Sequence, residues 1–125
     1  MSDETFERGM RIRRDVLGDD HVDRAIESTT EQTADFQEFI TRYAWGEIWS
    51  RPGLDRRTRS CITLTALAAL GRLEELAMHI RGARRNGLSD DEISEVFLQV
   101  AVYCGVPAAN SAFAVFRRVL DENAV

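Results

Sequence analysis

Arginines, one glutamate, two tryptophans and a histidine carry most of the chemistry this chain can offer. Arg42-Tyr43-Ala44-Trp45-Gly46-Glu47-Ile48-Trp49 leads through Ser50 into Arg51-Pro52-Gly53-Leu54-Asp55-Arg56-Arg57-Thr58-Arg59-Ser60. A helical pattern precedes this block and a nearly all-apolar one follows it. Charge this dense beside a segment that must be buried reads as a polar pocket at the edge of a core. A guanidinium grips a planar carboxylate through paired N–H donors. Arg42 and Arg59 lie on segments with buried faces and are the candidates for that task; a solvated basic face is the other reading. Glu47 stands between Trp45 and Trp49, where desolvation would raise its pKa and suit it to carry a proton. A plain ion pair with Arg51, four residues on, is the alternative.

His79 lies at the margin of an apolar stripe formed by Leu73, Leu76, Ala77 and Ile80. Glu75, one turn earlier, is within reach of it. A carboxylate beside an imidazole fixes its tautomer and raises its pKa, which suits a proton donor near neutral pH. An exposed i,i+4 pair is the competing reading. His21 follows Gly18-Asp19-Asp20, and its position alone gives it no role. Two histidines without a second ligand at i+3 or i+4 do not make a zinc or iron site, so no metal is expected. No glycine-rich phosphate loop is present, and neither Ser60 nor Ser111 has a nucleophile's surroundings.

The elements that must hold these residues are helices, and the expected class is all-α. No segment alternates with period two over a useful length. The spacing predicts helices over Thr5–Leu17 and from Asp19 to about Ser28, and a third ending near Trp49. The first has a sparse apolar side and reads as an outer arm, so the N-terminal arm covers about residues 1–30 of a single 1–125 domain. Pro52-Gly53 is a stop, and Asp55 reads as the N-cap of a helix from Arg56 to about Leu70. The second half of that helix is apolar nearly all round, the pattern of a central buried helix. The next ends at Asn86-Gly87. Ser89-Asp90-Asp91-Glu92 is a capping box, followed by Ile93, Val96, Phe97, Val100, Ala101 and Cys104 at helical spacing. Gly105-Val106-Pro107 separates it from an alanine-rich last helix.

The chain has 125 residues and a net charge of −5, which fits one domain and does not invite nucleic acid. Its basic residues are all Arg, with no Lys; fixed carboxylate recognition and a GC-rich genome both produce that bias. Met1 is followed by an acidic, polar start and not by a secretory leader. The apolar run Ala66–Leu70 is far short of a membrane span. Cys61 and Cys104 sit in apolar settings and form no C-x-x-C, as expected of two small buried thiols in a reducing compartment, the cytoplasm.

Several blocks together resemble the gamma-carboxymuconolactone decarboxylases of protocatechuate catabolism. They are Gly18-Asp19-Asp20-His21-Val22-Asp23-Arg24-Ala25, Ala34-Asp35-Phe36-Gln37-Glu38, the Arg42–Trp49 and Arg51–Ser60 blocks, His79, Asn86-Gly87, and Tyr103-Cys104-Gly105-Val106-Pro107-Ala108-Ala109-Asn110. The likeness covers nearly the whole chain. It implies the all-α fold of alkylhydroperoxidase-D-like proteins and a ring-shaped homo-oligomer, usually a hexamer. It also implies a dicarboxylate lactone as small-molecule partner, and loss of CO₂ without a cofactor to give the beta-ketoadipate enol-lactone. On this resemblance His79 and Glu47 are the catalytic pair. Arg42, Arg59, Trp45, Trp49 and His21 bind or enclose the substrate. The peroxidase cousins carry C-x-x-C-x-x-x-H, whose histidine matches His79 and whose thiols would fall on Arg72 and Glu75. A thiol peroxidase therefore lacks its redox centre here. A non-catalytic, ligand-binding oligomer is the remaining alternative, and its sign would be Arg42 and Arg59 engaged in internal salt bridges.

Overall fold

Two glycines decide how the first half of the chain packs. A computed structural model describes residues 3–122 and gathers them into two compact units, one up to Asp55 and one from Arg56 onward. Every regular element among the described residues is helical. In the first unit, α1 (Glu4–Leu17) and α2 (Asp19–Glu27) are followed by α3 (Ala34–Ile40), which runs directly into a π-helix, Thr41–Ile48. α1 lies against the π-helix. A methyl group on Gly9 would overlap the Thr41 carbonyl oxygen and stand 2.8 Å from the Gly46 nitrogen. One on Gly46 would in turn overlap the Thr5 carbonyl oxygen. The two backbones therefore touch, and only glycine allows it. The Arg8 Nε donates to the Gly46 carbonyl at 3.0 Å and stitches the same contact.

α1 thus has a well-packed side within its own unit. Gly9, Ile12, Arg13, Val16 and Leu17 are buried. The apolar side looked sparse because part of its contact is backbone on backbone, which leaves no hydrophobic side chain to count. The π-helix had no sequence signal either. Its widened turn, with Trp49 N–H bonding back to the Ala44 carbonyl at 2.9 Å, follows a segment pressed against a neighbour. Such widened turns recur at functional sites.

The second unit holds α4 (Arg56–Leu70), α5 (Leu73–Arg85), α6 (Asp90–Tyr103) and α7 (Val106–Asp121) around one apolar core. Phe97 is fully buried at its centre. It meets the Phe113 and Phe116 rings edge-on, at centroid separations of 5.7 and 6.0 Å, a favoured aromatic geometry. The expected capping box is present: Ser89 Oγ accepts from Glu92 N–H at 3.1 Å, and the Glu92 carboxylate accepts from Ser89 N–H at 2.9 Å. Asn86 Nδ2 donates to the buried Ser60 Oγ at 2.8 Å, which ties the end of α5 to α4.

α4 departs from its expected burial. Leu64 and Ala68 are buried, but Ile62, Ala66 and Leu70 form a second, exposed stripe at i, i+4, i+8. An all-round apolar helix was read as the centre of one chain. Among the described residues, one of its faces is covered and this stripe is not.

Candidate active site

The aromatic block is built by the turn geometry of the first unit. Trp45 and Trp49 lie four residues apart on the π-helix and its end, and their rings stack at 5.1 Å with 25° between planes. Trp45 is buried and Trp49 half-buried. Glu47, midway between them in sequence and expected to be buried among the rings, is exposed. His21, on α2, is half-buried.

Arg42 is already occupied. Its guanidinium binds both carboxylate oxygens of Asp3, one at 2.6 Å, and the Glu38 carboxylate at 2.8 Å. It also lies 5.9 Å from the centre of the Phe6 ring. The hydrogen bonds Arg42 donates to Asp3 and then to Glu38 raise its pKa, and the bond to Asp3 holds that carboxyl below its ordinary value. This is the arrangement that was to mark a non-catalytic relative. The groups are solvent-exposed, however, and an exposed ion pair is weak enough for another carboxylate to compete. A cleft of about 520 Å³ runs beside Arg42, with Phe6, Met10, Ile26 and the buried Arg13 in its walls.

In the second unit, His79 is half-buried on α5, next to the core residue Ile80. Glu75, one turn earlier, is exposed. Arg59 is half-buried in the first turns of α4, with its Nε shielded from solvent. The two cysteines are free thiols. Cys61 is half-buried, but Cys104, expected to be buried, is exposed because it stands just beyond the end of α6. Both border a cleft of about 480 Å³ together with Thr65, Glu95 and Gln99. Among the described residues, no three His, Cys, Asp or Glu side chains gather as a metal ion would need.

Arg13 was missed by sequence reasoning. Its signal was available: Phe6, Gly9, Arg13 and Val16 recur at helical spacing, which puts an arginine inside the apolar stripe of α1.

The model of the carboxymuconolactone decarboxylase family matches residues 34–118. The chain belongs to this family. The matched region takes in Arg42, Trp45, Glu47, Trp49, Arg59 and His79, whereas Arg13 and His21 precede it. A relative named 4-carboxymuconolactone decarboxylase, from Acinetobacter baylyi, is 46% identical over 98% of this chain and 92% of its own length. The nitrosuccinic acid decarboxylase npaB of Metarhizium robertsii, 42% identical, is matched over 94% of this chain and 82% of its own. A Pseudomonas putida protein also named 4-carboxymuconolactone decarboxylase is 50% identical, but over only 34% of this chain and 88% of its own.

Proposed function

We propose that this protein is a carboxy-lyase that converts gamma-carboxymuconolactone to the beta-ketoadipate enol-lactone and CO₂ without a cofactor. The observation that carries this reading is the 46% identity to the Acinetobacter baylyi decarboxylase along almost the entire chain. The substrate supplies its own electron sink. Its departing carboxylate sits on a carbon conjugated through a double bond to the lactone carbonyl. When the C–CO₂ bond breaks, its electron pair forms a new double bond, the old one shifts, and the carbonyl oxygen becomes an enolate. Uptake of one proton at the ring carbon next to that carbonyl completes the enol-lactone.

The protein's tasks follow from these steps. It must donate hydrogen bonds to the oxygen that gains charge. It must deliver the proton, for which His79 is the proposed donor, with Glu47 as a second proposed acid–base group. Arg42 and Arg59 are the assigned carboxylate clamps, Trp45 and Trp49 exclude water from the breaking bond, and His21 contacts substrate from the N-terminal segment. If Arg42 clamps substrate, it must first exchange Asp3 or Glu38. Asp3→Asn keeps an oxygen for the Phe6 N–H at the start of α1 but loosens the ion pair. KM should then fall about two- to fivefold with kcat unchanged, the scale of one exposed pair. An unaltered KM would mean that Asp3 and substrate do not compete.

A second reading rests on the Metarhizium robertsii relative. A nitro group can accept the electron pair of a breaking C–CO₂ bond just as the lactone carbonyl can. Measuring CO₂ release from gamma-carboxymuconolactone and from nitrosuccinate, side by side, tests the assignment. The lactone should be turned over faster. Turnover of nitrosuccinate alone would move the substrate, and release from neither would remove the proposal.

The whole chain acts as one catalytic domain in a cytoplasmic ring-shaped homohexamer. No helix among the described residues is long and apolar enough to cross a membrane. The assembly is supported by apolar surface left open on the second unit: Ile62 and Leu70 on α4, Leu98 and Val102 one turn apart on α6, and Tyr103, 81% exposed. Sedimentation velocity at micromolar protein should give one species near six times 14.2 kDa. A monomer would contradict the ring.

A further inference from the structure

Carboxylates are shared unevenly among the arginines of this chain. Arg14 pairs with Asp19 and Asp23, Arg42 with Asp3 and Glu38, Arg57 with Glu92, Arg81 with Glu122, and Arg84 with Asp90. These side chains are half-buried to exposed, between 30% and 45% open to solvent, where pairing matters less than in a core. Arg13 is only 5% exposed and has no carboxylate. Its Nη1 donates to Thr41 Oγ1 and its Nη2 to Gln37 Oε1, each at 3.1 Å, and both acceptors are neutral. Its Nε is buried with no acceptor at all. A guanidinium has five N–H donors, so most of its capacity is unused.

A buried cation without a counter-charge is costly, and the cost is normally relieved by a paired anion. The pKa of Arg13 is lowered, first by burial and then by the neighbouring charge of Arg14, with no negative group offsetting either. An apolar residue in the α1 stripe would serve packing better. Arg13 instead borders the cleft of about 520 Å³, whose other walls include Phe6, Met10 and Ile26 and, at one side, Arg42 with its partners Asp3 and Glu38, which neutralise one another. That volume is in the range of small-molecule sites.

We propose that this cleft binds a small organic acid, with its carboxylate on Arg13 and its hydrocarbon body against Phe6, Met10 and Ile26. The inference stands on the first unit alone and does not depend on which reaction the protein catalyses. The acid is either the substrate or product of that reaction or a separate metabolite, and the test separates the two.

Adipate is a suitable probe, carrying carboxylates on a short hydrocarbon chain; 1,6-hexanediol has the same length without charge. Calorimetric titration of the full chain should show binding of adipate at millimolar concentrations and none of the diol. Arg13→Met removes the charge and keeps an apolar stem. Ala34→Trp, at an exposed position on the cleft wall, fills the space and leaves Arg13 intact. Each variant should weaken adipate about tenfold or more, as expected for loss of a charge-assisted bond or of the space itself. No adipate binding by the wild type, or binding by the folded Arg13→Met or Ala34→Trp variant equal to the wild type's, would overturn the proposal. A KM for the lactone that rises with the loss of adipate assigns the cleft to substrate; an unchanged KM assigns it to a distinct acid. Adipate binding needs no turnover, so its failure and the failure of the decarboxylase reading are separate results.

Discussion

His79→Ala should lower kcat for the lactone by about two to four orders of magnitude, the range for removal of a general acid. The reason lies in the product. Once CO₂ has left, the electron pair is spread over the ring and carbonyl oxygen, and the enol-lactone forms only when a proton reaches carbon. Water can supply that proton, but without a positioned donor the dienolate lasts long enough to recapture CO₂. His79 is half-buried on α5, beside the core residue Ile80. Its loss should leave the fold intact, because Leu76, Ile80 and Ala83 supply the packing of α5. The comparison to make is kcat against melting temperature for His79→Ala and His79→Gln. Low turnover at near wild-type melting supports a chemical role. Wild-type turnover in either folded variant would take His79 out of the mechanism.

Gly9→Ala should be the most damaging single methyl in the first unit. The added carbon would overlap the Thr41 carbonyl oxygen, a backbone atom that cannot rotate away. Relief requires α1 to move off the π-helix, which would also break the Arg8 bond to the Gly46 carbonyl and the Arg13 bond to Thr41. A loss of about 3 kcal/mol is expected, at the upper end for overpacking. Gly53→Ala is the control: nothing lies within 4 Å of the added carbon, and its effect should stay within about 0.5 kcal/mol. Urea unfolding of both variants measures the difference. Equal stability would mean that the α1 contact is looser than described.

Helix ends were legible in the sequence because their chemistry is local. Gly18, Gly71, Gly87 and Gly105 follow the expected helices, and all four take positive φ, which glycine adopts without strain. The Ser89–Glu92 capping box could be read from four consecutive residues for the same reason. Contacts between distant segments were not legible. Asp3 meets Arg42 across 39 positions, so an arginine that looked open in sequence is paired at the start of α1. Gly9 and Gly46 contribute no side chain, so their contact, and the π-helix beside it, left no hydrophobic pattern. The exposed stripe of α4 was counted as core because composition does not show which apolar face of a helix its neighbours cover. The recognisable blocks identified the family; how Glu47 and Arg42 are presented to solvent and to their neighbours came only from the structure.

The central claim is that the lactone's own conjugation, with side chains of this chain alone, drives loss of CO₂. Purified protein dialysed against EDTA, with no metal or organic cofactor added, should remove the ultraviolet absorbance of gamma-carboxymuconolactone at the rate of untreated protein. Absorbance that stays constant, or falls only after a metal or cofactor is returned, would contradict the account.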